Sequence, residues 1–425
     1  MKAQFMFAFF MLSQTLIFGQ SNLSTRTVAK GLDTPWEIIW GVDNQIWVTE
    51  RYGRISRVNP TTGVISPLLT ISEVRETGEA GLLGMAVETD VSSRQPYVFV
   101  AYTYTAAGNN FRKKVVRYQF SGSTLTNPTT ILDNITAANI HNGCRLLITP
   151  DKKLLITTGD VAVTSTSQTL SNLNGKILRL NFDGTIPDDN PIKGSSVWTW
   201  GHRNAQGLVY SSAFKQFYSS EHGASTNDEL NVIQKGRNYG WPRVEGLCDQ
   251  SGEQTFCRDS NVVEPINAWT PTLGVSGVDF YSQNLISEWK NCVLMTSLSG
   301  RRLTVVKLNT DGTRMTSKTD YFTDVFGRLR DVCISPDGKV YIAVSNRDGR
   351  GSPTTDDDRI IEISPKTATN VSEEYIFFRS FPNPTSDELT IECSKKIGKI
   401  LLFDIQGAFT FYKKEVKQTR YGAKY

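Results

Sequence analysis

Cysteine is scarce in this chain, and neither sign of charge is in large excess. Six cysteines among 425 residues are too few to hold together a disulfide scaffold. Only Cys248 and Cys257 lie close together, in the polar segment GLCDQSGEQTFC, where we expect a loop-closing disulfide. The 46 basic residues nearly balance the 42 acidic ones, and no long basic run precedes the last fifteen residues. Composition therefore gives no support to nucleic-acid binding.

Long apolar runs are also missing. Residues 5–18 are mostly apolar, but this stretch is too short for a bilayer span and is interrupted at Ser13, Gln14 and Thr15. Lys2 precedes it and the small Gly19 follows it, which favours a signal peptide over residues 1–19 rather than a buried N-terminal helix. No later stretch is long enough to cross a membrane. The sequence therefore predicts an exported chain without a transmembrane segment, extracellular or at the cell surface and reaching it through the periplasm.

A repeated β-hairpin dominates the rest of the chain. Each copy has an apolar strand, a polar turn that often contains Asp, and a second strand rich in β-branched and aromatic residues. Six copies begin at Pro35, Gly81, Gly143, Gly207, Ser276 and Arg330. The second strands lie 47 to 76 residues apart, which leaves room for two more strands in each gap. Units of this size predict an all-β fold, a six-bladed β-propeller of four-stranded blades over residues 24–365.

The ends of this region predict how the ring closes and where it stops. RIIEIS, residues 359–364, leaves the sixth blade one strand short, and TRTVAK, residues 25–30, can supply that strand and cover the open sheet edge. Residues 366–377 then form a polar linker. Residues 378–425 alternate in hydrophobicity and predict a small, β-rich C-terminal module.

The hairpin geometry predicts a functional rim. The start of the first strand and the end of the second lie at the same end of an antiparallel hairpin, so residues at these points of the six blades should meet at one mouth of the channel. Residues that carry chemistry concentrate there: Glu79, His141, Asp160, His202, Arg203, Asn204, Glu221, His222, Gly223, Arg328 and Arg330. All three histidines of the chain are in this set.

These residue types predict proton transfer beside an anionic ligand. A histidine with an aspartate partner is a good general base, because the carboxylate fixes the tautomer and stabilises the imidazolium. Three arginines with few acidic neighbours suit bidentate contacts to a polyanion. The polar loop EHGASTNDELN contains Asp228 and Glu229, and hard oxygen ligands of this kind suit calcium.

Six motifs in the same order resemble the soluble quinoprotein glucose/sorbosone dehydrogenases. They are GEAGLLG, HNGCRLLITPDKKLLITTGD, NGKILRLNFDGTIPDDNP, WGHRNAQGLVY, SEHGASTNDELNVIQKGRNYGWP and RLRDV, spread between Leu32 and Pro365. The resemblance implies a six-bladed propeller that uses the quinone cofactor PQQ together with calcium. It also implies oxidation of aldose sugars at C1 to lactones, with electrons passed to an external acceptor.

The resemblance also implies roles for individual residues. His141 would take the proton of the sugar C1 hydroxyl while hydride passes to the quinone, and Asp160 would orient His141. Arg203 and Asn204 would contact the quinone oxygens, where negative charge grows, so that Arg203 also counts as catalytic. The other residues that the resemblance assigns to the cofactor are Glu79, Thr272, Arg328 and Arg330.

Metal-binding residues follow from the same resemblance. The backbone carbonyls of Gly223 and Ala224 match the ligands of a calcium ion that sits on PQQ. Asp228 and Glu229 match a structural calcium site.

Several positions depart from the family pattern. Ser299 stands where glucose-oxidising members carry a cofactor-binding lysine, and Arg301 or Arg302 could replace its charge. Glu79 occupies a position where some members have Gln. Ile140 and Cys144 flank the proposed base where polar or small residues occur.

Two other functions fit a six-bladed propeller. One is a calcium-dependent lactonase or related hydrolase, which would centre a metal on carboxylates in the channel. The other is a non-catalytic binding module that has lost the cofactor, for which the substitution at Ser299 is the best argument.

The C-terminal module has a resemblance of its own. FFRSFPNPTSDELTIE, followed by KILLFDIQG, is similar to the sorting domains of the bacterial type IX secretion system. This implies that residues 378–425 interact with that secretion machinery.

Overall fold

The computed structural model describes residues 22–89 and 95–366, and the backbone of five short strands between 378 and 424. The chain divides into two compact units, Met1–Pro365 and Lys366–Tyr425. The predicted signal peptide, residues 1–19, and nearly all of the predicted linker lie outside the described residues. No helix in the described ranges is both long enough and apolar enough to cross a bilayer.

The first unit is the six-bladed β-propeller that the repeats predict, built from six four-stranded antiparallel sheets. The chain begins with β1 (Leu23–Lys30), which belongs to the last blade. The strands of blades one to three are β2 (Pro35–Trp40), β3 (Ile46–Glu50), β4 (Arg54–Val58) and β5 (Ile65–Thr70); β6 (Leu82–Val87), β7 (Tyr97–Ala106), β8 (Asn110–Phe120) and β9 (Leu125–Thr136); and β10 (Gly143–Ile148), β11 (Leu154–Thr158), β12 (Lys176–Leu180) and β13 (Val197–Trp200). Those of blades four to six are β14 (Ala205–Ser211), β15 (Gln216–Glu221), β16 (Asp228–Ile233) and β17 (Asn267–Trp269); β18 (Val275–Tyr281), β19 (Cys292–Ser297), β20 (Arg302–Leu308) and β21 (Met315–Tyr321); and β22 (Leu329–Ile334), β23 (Val340–Val344) and β24 (Arg359–Pro365).

Helices are few in the described residues. One α-helix, α1 (Ser251–Asp259), follows blade four, and the three short 3-10 helices are Ala107–Asn109, Thr164–Gln168 and Ser287–Trp289. The second unit contains β25 (Phe378–Phe381), β26 (Glu388–Cys393), β27 (Lys399–Phe403), β28 (Phe409–Lys414) and β29 (Arg420–Lys424). Its sheets have the orders β25-β26-β29 and β27-β28.

Strand β1 closes the ring by pairing with β24. The antiparallel register runs from Leu23 opposite Pro365 to Lys30 opposite Arg359, and the Arg26–Glu362 ion pair of 2.8 Å lies between these ends. The strand expected from TRTVAK is therefore in place. It covers the edge that β24 would otherwise expose.

The apolar core lies between the blades. Six clusters of buried side chains each join two neighbouring sheets, including the last and the first. Trp47 and Trp289, both fully buried, are among the largest of these side chains. The alternation of strand side chains buries one face of each sheet against each neighbour, which is why the strands read as apolar on both faces.

Every blade has a register shift where its first strand begins. The shifts fall between Pro35 and Glu37, Leu82 and Met85, Gly143 and Leu146, Ala205 and Gly207, Val275 and Val278, and Leu329 and Asp331. Such bulges bend a strand and redirect its side chains, and they are common at the rims of closed sheets and beside active sites. Six of them around one axis build an irregular, polar mouth.

A buried ion cluster joins the first strands of four blades. The Arg145 guanidinium of β10 contacts Glu37 of β2 at 2.7 Å and Asp331 of β22 at 3.0 Å, while its Nε donates to the Gln206 carbonyl at 2.8 Å. Burial raises the pKa of Glu37 to about 8 against the influence of Arg145, and raises the pKa of Asp331 as well. One guanidinium thus holds two buried carboxyl groups from different blades.

The predicted disulfide is also confirmed. Cys248 and Cys257 are bonded, with their Cα atoms 6.4 Å apart, and they enclose most of α1.

We expect a chain that ends at Pro365 to fold as the full chain does, because β1 and β24 complete the last blade without the second unit. A matched deletion that starts the chain at Gly31 removes β1 and should lower the melting temperature or cause aggregation, since β24 then exposes an open edge. Thermal unfolding followed by circular dichroism, with size-exclusion chromatography, compares the two. An insoluble chain ending at Pro365 would contradict the first expectation.

We expect the unreduced protein to have a mass lower by two hydrogens than the reduced protein, through the Cys248–Cys257 bond. Replacing both residues by Ser should lower the free energy of unfolding by roughly 2–3 kcal/mol in the chain-entropy description of a short loop. Urea unfolding measures this loss. Alkylation of Cys248 and Cys257 in the unreduced, folded protein would show that the bond is absent.

Candidate active site

A polar cavity of about 300 Å³ lies at the mouth where the first strands begin. This volume is within the range of small-molecule sites. Ten of the residues predicted from the sequence line it: Glu79, His141, Arg203, Asn204, His222, Gly223, Ala224, Thr272, Arg328 and Arg330. The hairpin geometry therefore does bring together residues separated by up to about 250 positions.

A larger cavity, of about 510 Å³, has a different lining. It contains Glu37, Arg145, Asp279 and Asp331 among apolar strand residues, and none of the residues predicted for the site. Two of these carboxyl groups are already bound to Arg145. We place the active site in the smaller cavity, because it contains a base and unpaired positive charge.

His141, which is half-buried in the wall of this cavity, pairs with the buried Asp160. His141 Nδ1 lies 2.8 Å from Asp160 Oδ1. The same oxygen accepts the Ala162 N–H at 2.9 Å, and Oδ2 accepts the Trp241 indole N–H at 2.9 Å. Burial alone would raise the pKa of Asp160, but the hydrogen bond from His141 and these two donors outweigh it and lower the pKa. The ionised carboxylate holds the proton on Nδ1 and leaves Nε2 as the basic nitrogen.

The backbone around this pair adopts left-handed conformations. His141, Val161 and Ala162 have φ of 55°, 51° and 61°. A β-branched residue rarely adopts a positive φ, so Val161 is strained. Backbone hydrogen bonds hold the segment in this conformation. The Val161 N–H donates to the His141 carbonyl at 3.2 Å, and the Asp160 N–H donates to the Arg203 carbonyl at 2.8 Å. Strain of this kind typically concentrates where side chains must be aimed at a ligand.

Arg203 and Arg330 supply positive charge that no carboxylate of the described residues pairs with. Arg203 Nη1 donates to the His222 carbonyl at 3.1 Å, and Arg330 Nη1 donates to Gln206 Oε1 at 3.1 Å. The Nε atoms of both arginines and Nε2 of His222 are buried without a hydrogen-bond partner among the described residues. Burial lowers the pKa of Arg330 to about 10, which still leaves it charged at neutral pH. Desolvated donors without partners favour an anionic ligand.

Arg328 differs from the sequence prediction that the rim arginines have few acidic partners. Its Nε and Nη2 both contact Asp348 Oδ2, at 2.8 and 2.7 Å, and Asp348 is buried. That prediction was wrong for Arg328. Asp348 follows the second strand of the same hairpin, so antiparallel pairing returns it to the strand start where Arg328 lies.

Glu79 also has a partner that the sequence did not indicate. Its Oε1 lies 2.5 Å from Arg350 Nη1, and its Oε2 accepts the His141 N–H at 3.3 Å. Burial alone would raise the pKa of Glu79, but the hydrogen bond and charge of Arg350 outweigh it and lower the pKa. Glu79 is therefore an ionised carboxylate that connects a rim arginine to the backbone of the proposed base.

His202 does not reach the cavity. Its ring lies between Glu221 Oε2 and Thr199 Oγ1, each at 2.8 Å, and stacks on Tyr239 at 4.5 Å. The expectation that all three histidines face the mouth was wrong for this residue, because both of its ring nitrogens are bonded inside the protein.

Gly223 and Ala224 line the cavity with their backbone. The Gly223 N–H donates to Asp228 Oδ1 and the Ala224 N–H donates to Glu245 Oε1, each at 2.9 Å. No described group donates to the carbonyl of either residue. These two oxygens therefore remain as possible ligands of a hard cation.

Asp228 and Glu229 lie behind the cavity rather than in its lining. Asp228 Oδ2 accepts the N–H groups of Leu273 and Val275, so the carboxylate braces the loop. Burial, with help from the charge of Glu221, raises the pKa of Glu229 to about 8. In the part of the chain that the structure describes, no three His, Cys, Asp or Glu side chains are grouped to hold a metal. A structural calcium site at Asp228 and Glu229 stays a prediction.

Ser299, which the resemblance matches to a cofactor-binding lysine, lines the cavity, and the neighbouring arginines bring no charge to it. Arg301 pairs with Asp324 at 2.7 Å, and Arg302 pairs with Asp320 at 2.9 Å. Neither is in the cavity lining. The prediction that one of them could serve was wrong.

Sequence reasoning missed several lining residues, among them the aromatic and polar Trp36, Gln206 and Arg350. The guanidiniums of Arg145 and Arg330 both lie over the Trp36 ring, at 4.5 and 5.9 Å from its centroid. Trp36 and Gln206 lie inside the register shifts of β2 and β14. Both residues stand at the start of a repeated hairpin, and this position could have predicted that they lie at the mouth. For Arg350 the signal was the turn-rich, charged segment SNRDGRGS after the sixth hairpin.

The chain is similar along most of its length to known sugar dehydrogenases. The chain is 30% identical over 418 residues to quinoprotein glucose dehydrogenase B of Acinetobacter calcoaceticus, covering 77% of this chain and 86% of that protein. It is 28% identical over 373 residues to aldose sugar dehydrogenase YliI of Escherichia coli, covering 84% and 96%. The PQQ-bound form of an aldose sugar dehydrogenase from Streptomyces coelicolor superposes with a TM-score of 0.70 at 34% identity, covering 81% of this chain and 98% of that one.

The profile of one protein family, Glucose / Sorbosone dehydrogenase, matches residues 32–353, which include all six hairpins and every residue of the cavity lining. The chain is therefore a member of the glucose/sorbosone dehydrogenase family.

Proposed function

We propose that this protein oxidises an aldose sugar at C1 to the lactone, with PQQ as cofactor and Ca²⁺ bound beside it. The observation that carries this proposal is the His141–Asp160 pair in the wall of a cavity that also contains two arginines with no carboxylate partner in the described part of the chain. Family membership supports the sugar dehydrogenase activity, and the names of two relatives refer to a quinone cofactor.

The lining suits an anion with several carboxylates. PQQ has three, and burying them requires compensating positive charge. Arg203 and Arg330 have unpaired buried Nε atoms, and Arg328 adds a third guanidinium beside Asp348. A calcium ion on the Gly223 and Ala224 carbonyls would supply the remaining positive charge. The side-chain hydroxyl of Thr272 lies in the same lining and would add a polar contact.

His141 acts as the general base. PQQ, when bound, accepts the hydride from the sugar C1. The C1 hydroxyl must lose its proton in the same step, because a protonated carbonyl would otherwise form. His141 Nε2 takes this proton, since Nδ1 is held by Asp160 at 2.8 Å. The Asp160 carboxylate then stabilises the imidazolium.

Arg203 and Asn204 hold the reacting end of the cofactor. Asn204 Oδ1 accepts the Gly143 N–H at 3.2 Å and the Gln206 Nε2–H at 3.1 Å, which leaves the amide Nδ2 to donate. Arg203 is fixed by the His222 carbonyl and by stacking over Trp241 at 5.3 Å. Pre-oriented donors of this kind stabilise negative charge as it develops.

The cavity gives no comparable support to a lactonase. Among the described residues of its lining, Glu79 is the carboxylate, and it is already paired with Arg350. A hydrolase that holds its metal on several side-chain carboxylates would need more of them.

The cellular setting is part of the same proposal. A signal peptide over residues 1–19 and a sorting module over residues 378–425 would take the enzyme outside the cytoplasm through the type IX machinery. Electrons would then leave to an external acceptor.

We expect His141→Gln to keep PQQ affinity while the rate of sugar-dependent reduction falls by roughly a hundredfold or more, as for the loss of a positioned base. Arg328→Ala should weaken PQQ binding while the enzyme saturated with PQQ keeps more of its rate. The reason is that this variant leaves the buried Asp348 carboxylate unpaired beside an anion. Titration of each variant with PQQ, followed by stopped-flow reduction of the bound quinone at saturation, separates binding from proton transfer. Wild-type turnover by His141→Gln would require a different base.

We expect activity to require calcium. Protein treated with EGTA and then given PQQ alone should not reduce dye with any aldose, and adding Ca²⁺ should restore the reaction, because the dication compensates cofactor carboxylates at Gly223 and Ala224. Circular dichroism of the chelated protein serves as the control for folding. Full dye reduction by folded, calcium-free protein would contradict this arrangement.

A further inference from the structure

The Glu79–Arg350 pair places a negative charge inside a cavity suited to an anion. Glu79 lies in the lining, its pKa is lowered, and the described lining contains no other carboxylate. An ionised carboxylate beside an anionic ligand is repulsive, and the Glu79 side chain, 27% exposed, is only partly screened by water. Something must cancel this charge if the cavity is to bind PQQ.

Arg350 is the group that does so. Its Nη1 lies 2.5 Å from Glu79 Oε1, and Arg350 itself lines the cavity. The other positive charges near the mouth are either paired with another carboxylate or left to bind the ligand. Arg328 is bound to Asp348, while Arg203 and Arg330 have no carboxylate partner among the described residues. Without Arg350, the Glu79 charge would offset one of these two unpaired arginines.

The loop that carries Arg350 is built to hold it there. Asp348 Oδ1 accepts the Arg350 N–H at 2.9 Å, while Oδ2 of the same carboxylate binds Arg328. Gly349 has φ of 87°, which favours glycine. A Cβ on Gly351 would lie 2.4 Å from the Asn346 carbonyl, so only glycine allows this close approach. Arg350 is thus set by a short loop from blade six, although its partner Glu79 lies 271 residues earlier.

We propose that Arg350 is a positioning residue of the cofactor site, which makes the cavity competent for PQQ by neutralising Glu79. This inference rests on the proposed function. It goes beyond that function because it assigns a role to a residue outside the six motifs. It also accounts for an acidic residue in the cavity of a chain that has Ser299 in place of the family lysine.

A double-mutant cycle on PQQ binding tests the proposal. Isothermal titration of the full chain with PQQ in excess Ca²⁺ gives the dissociation constant without any need for turnover. Arg350→Ala should weaken binding by about tenfold, since the partly buried Glu79 carboxylate is left as an uncompensated like charge beside the ligand. Glu79→Gln, which keeps an acceptor for the His141 N–H, should bind PQQ at least as tightly as wild type.

The decisive variant is Glu79→Gln combined with Arg350→Ala. It should bind within about threefold of wild type, because both charges of the coupled pair are gone. Arg350→Lys should rescue most of the loss. Arg301→Ala is the matched control, since Arg301 pairs with Asp324 outside the cavity, and it should change affinity by less than about threefold.

Two results would overturn the inference while leaving the proposed function intact. One is wild-type affinity in Arg350→Ala. The other is a double variant that binds as weakly as Arg350→Ala. If wild-type protein itself binds no PQQ in the presence of Ca²⁺, the proposed function fails, and the role of Arg350 fails with it.

Discussion

The architecture depends on the buried ion cluster around Arg145. One guanidinium joins Glu37 of blade one to Asp331 of blade six, and its Nε binds the Gln206 carbonyl of blade four. The two carboxylates also bind backbone groups of other first strands. Glu37 accepts the Met85 N–H and Asp331 accepts the Ile38 N–H, both at 2.8 Å. Breaking one partner of a buried pair typically costs about 3–5 kcal/mol, because an unpaired charge stays behind. The first strands of blades one, two, three, four and six are therefore connected through one buried network.

The active cavity keeps a negative charge and two positive charges apart, because each has different partners. Asp160 is buried and saturated by three donors, so its negative charge serves His141 and is kept from the anion site. Arg203 and Arg330 are held by a carbonyl and an amide oxygen, neutral acceptors that leave their positive charge available to a ligand. Base and anion site can therefore share one small cavity without cancelling each other.

Much of the fold and part of the site follow from local sequence patterns. The six hairpins could be predicted because strand alternation and polar turns are short-range signals, and their spacing sets the number of blades. The meeting of His141 with Asp160 was predictable for the same reason, since the two ends of one antiparallel hairpin must lie side by side. The closing strand β1 was predictable because the last blade would otherwise have an open edge.

Other features were decided only by the tertiary structure. Whether His202 faces the cavity or Glu221 depends on how a side chain turns between packed blades, and no local pattern encodes that. The pairing of Arg350 with Glu79, like the commitment of Arg301 to Asp324, depends on which charges meet once the ring has closed. The sequence by itself determined the blades and which residues stand at their ends. Ring closure and packing selected the ion pairs among those ends, because electrostatic partners are chosen by distance in space and by burial rather than by order along the chain.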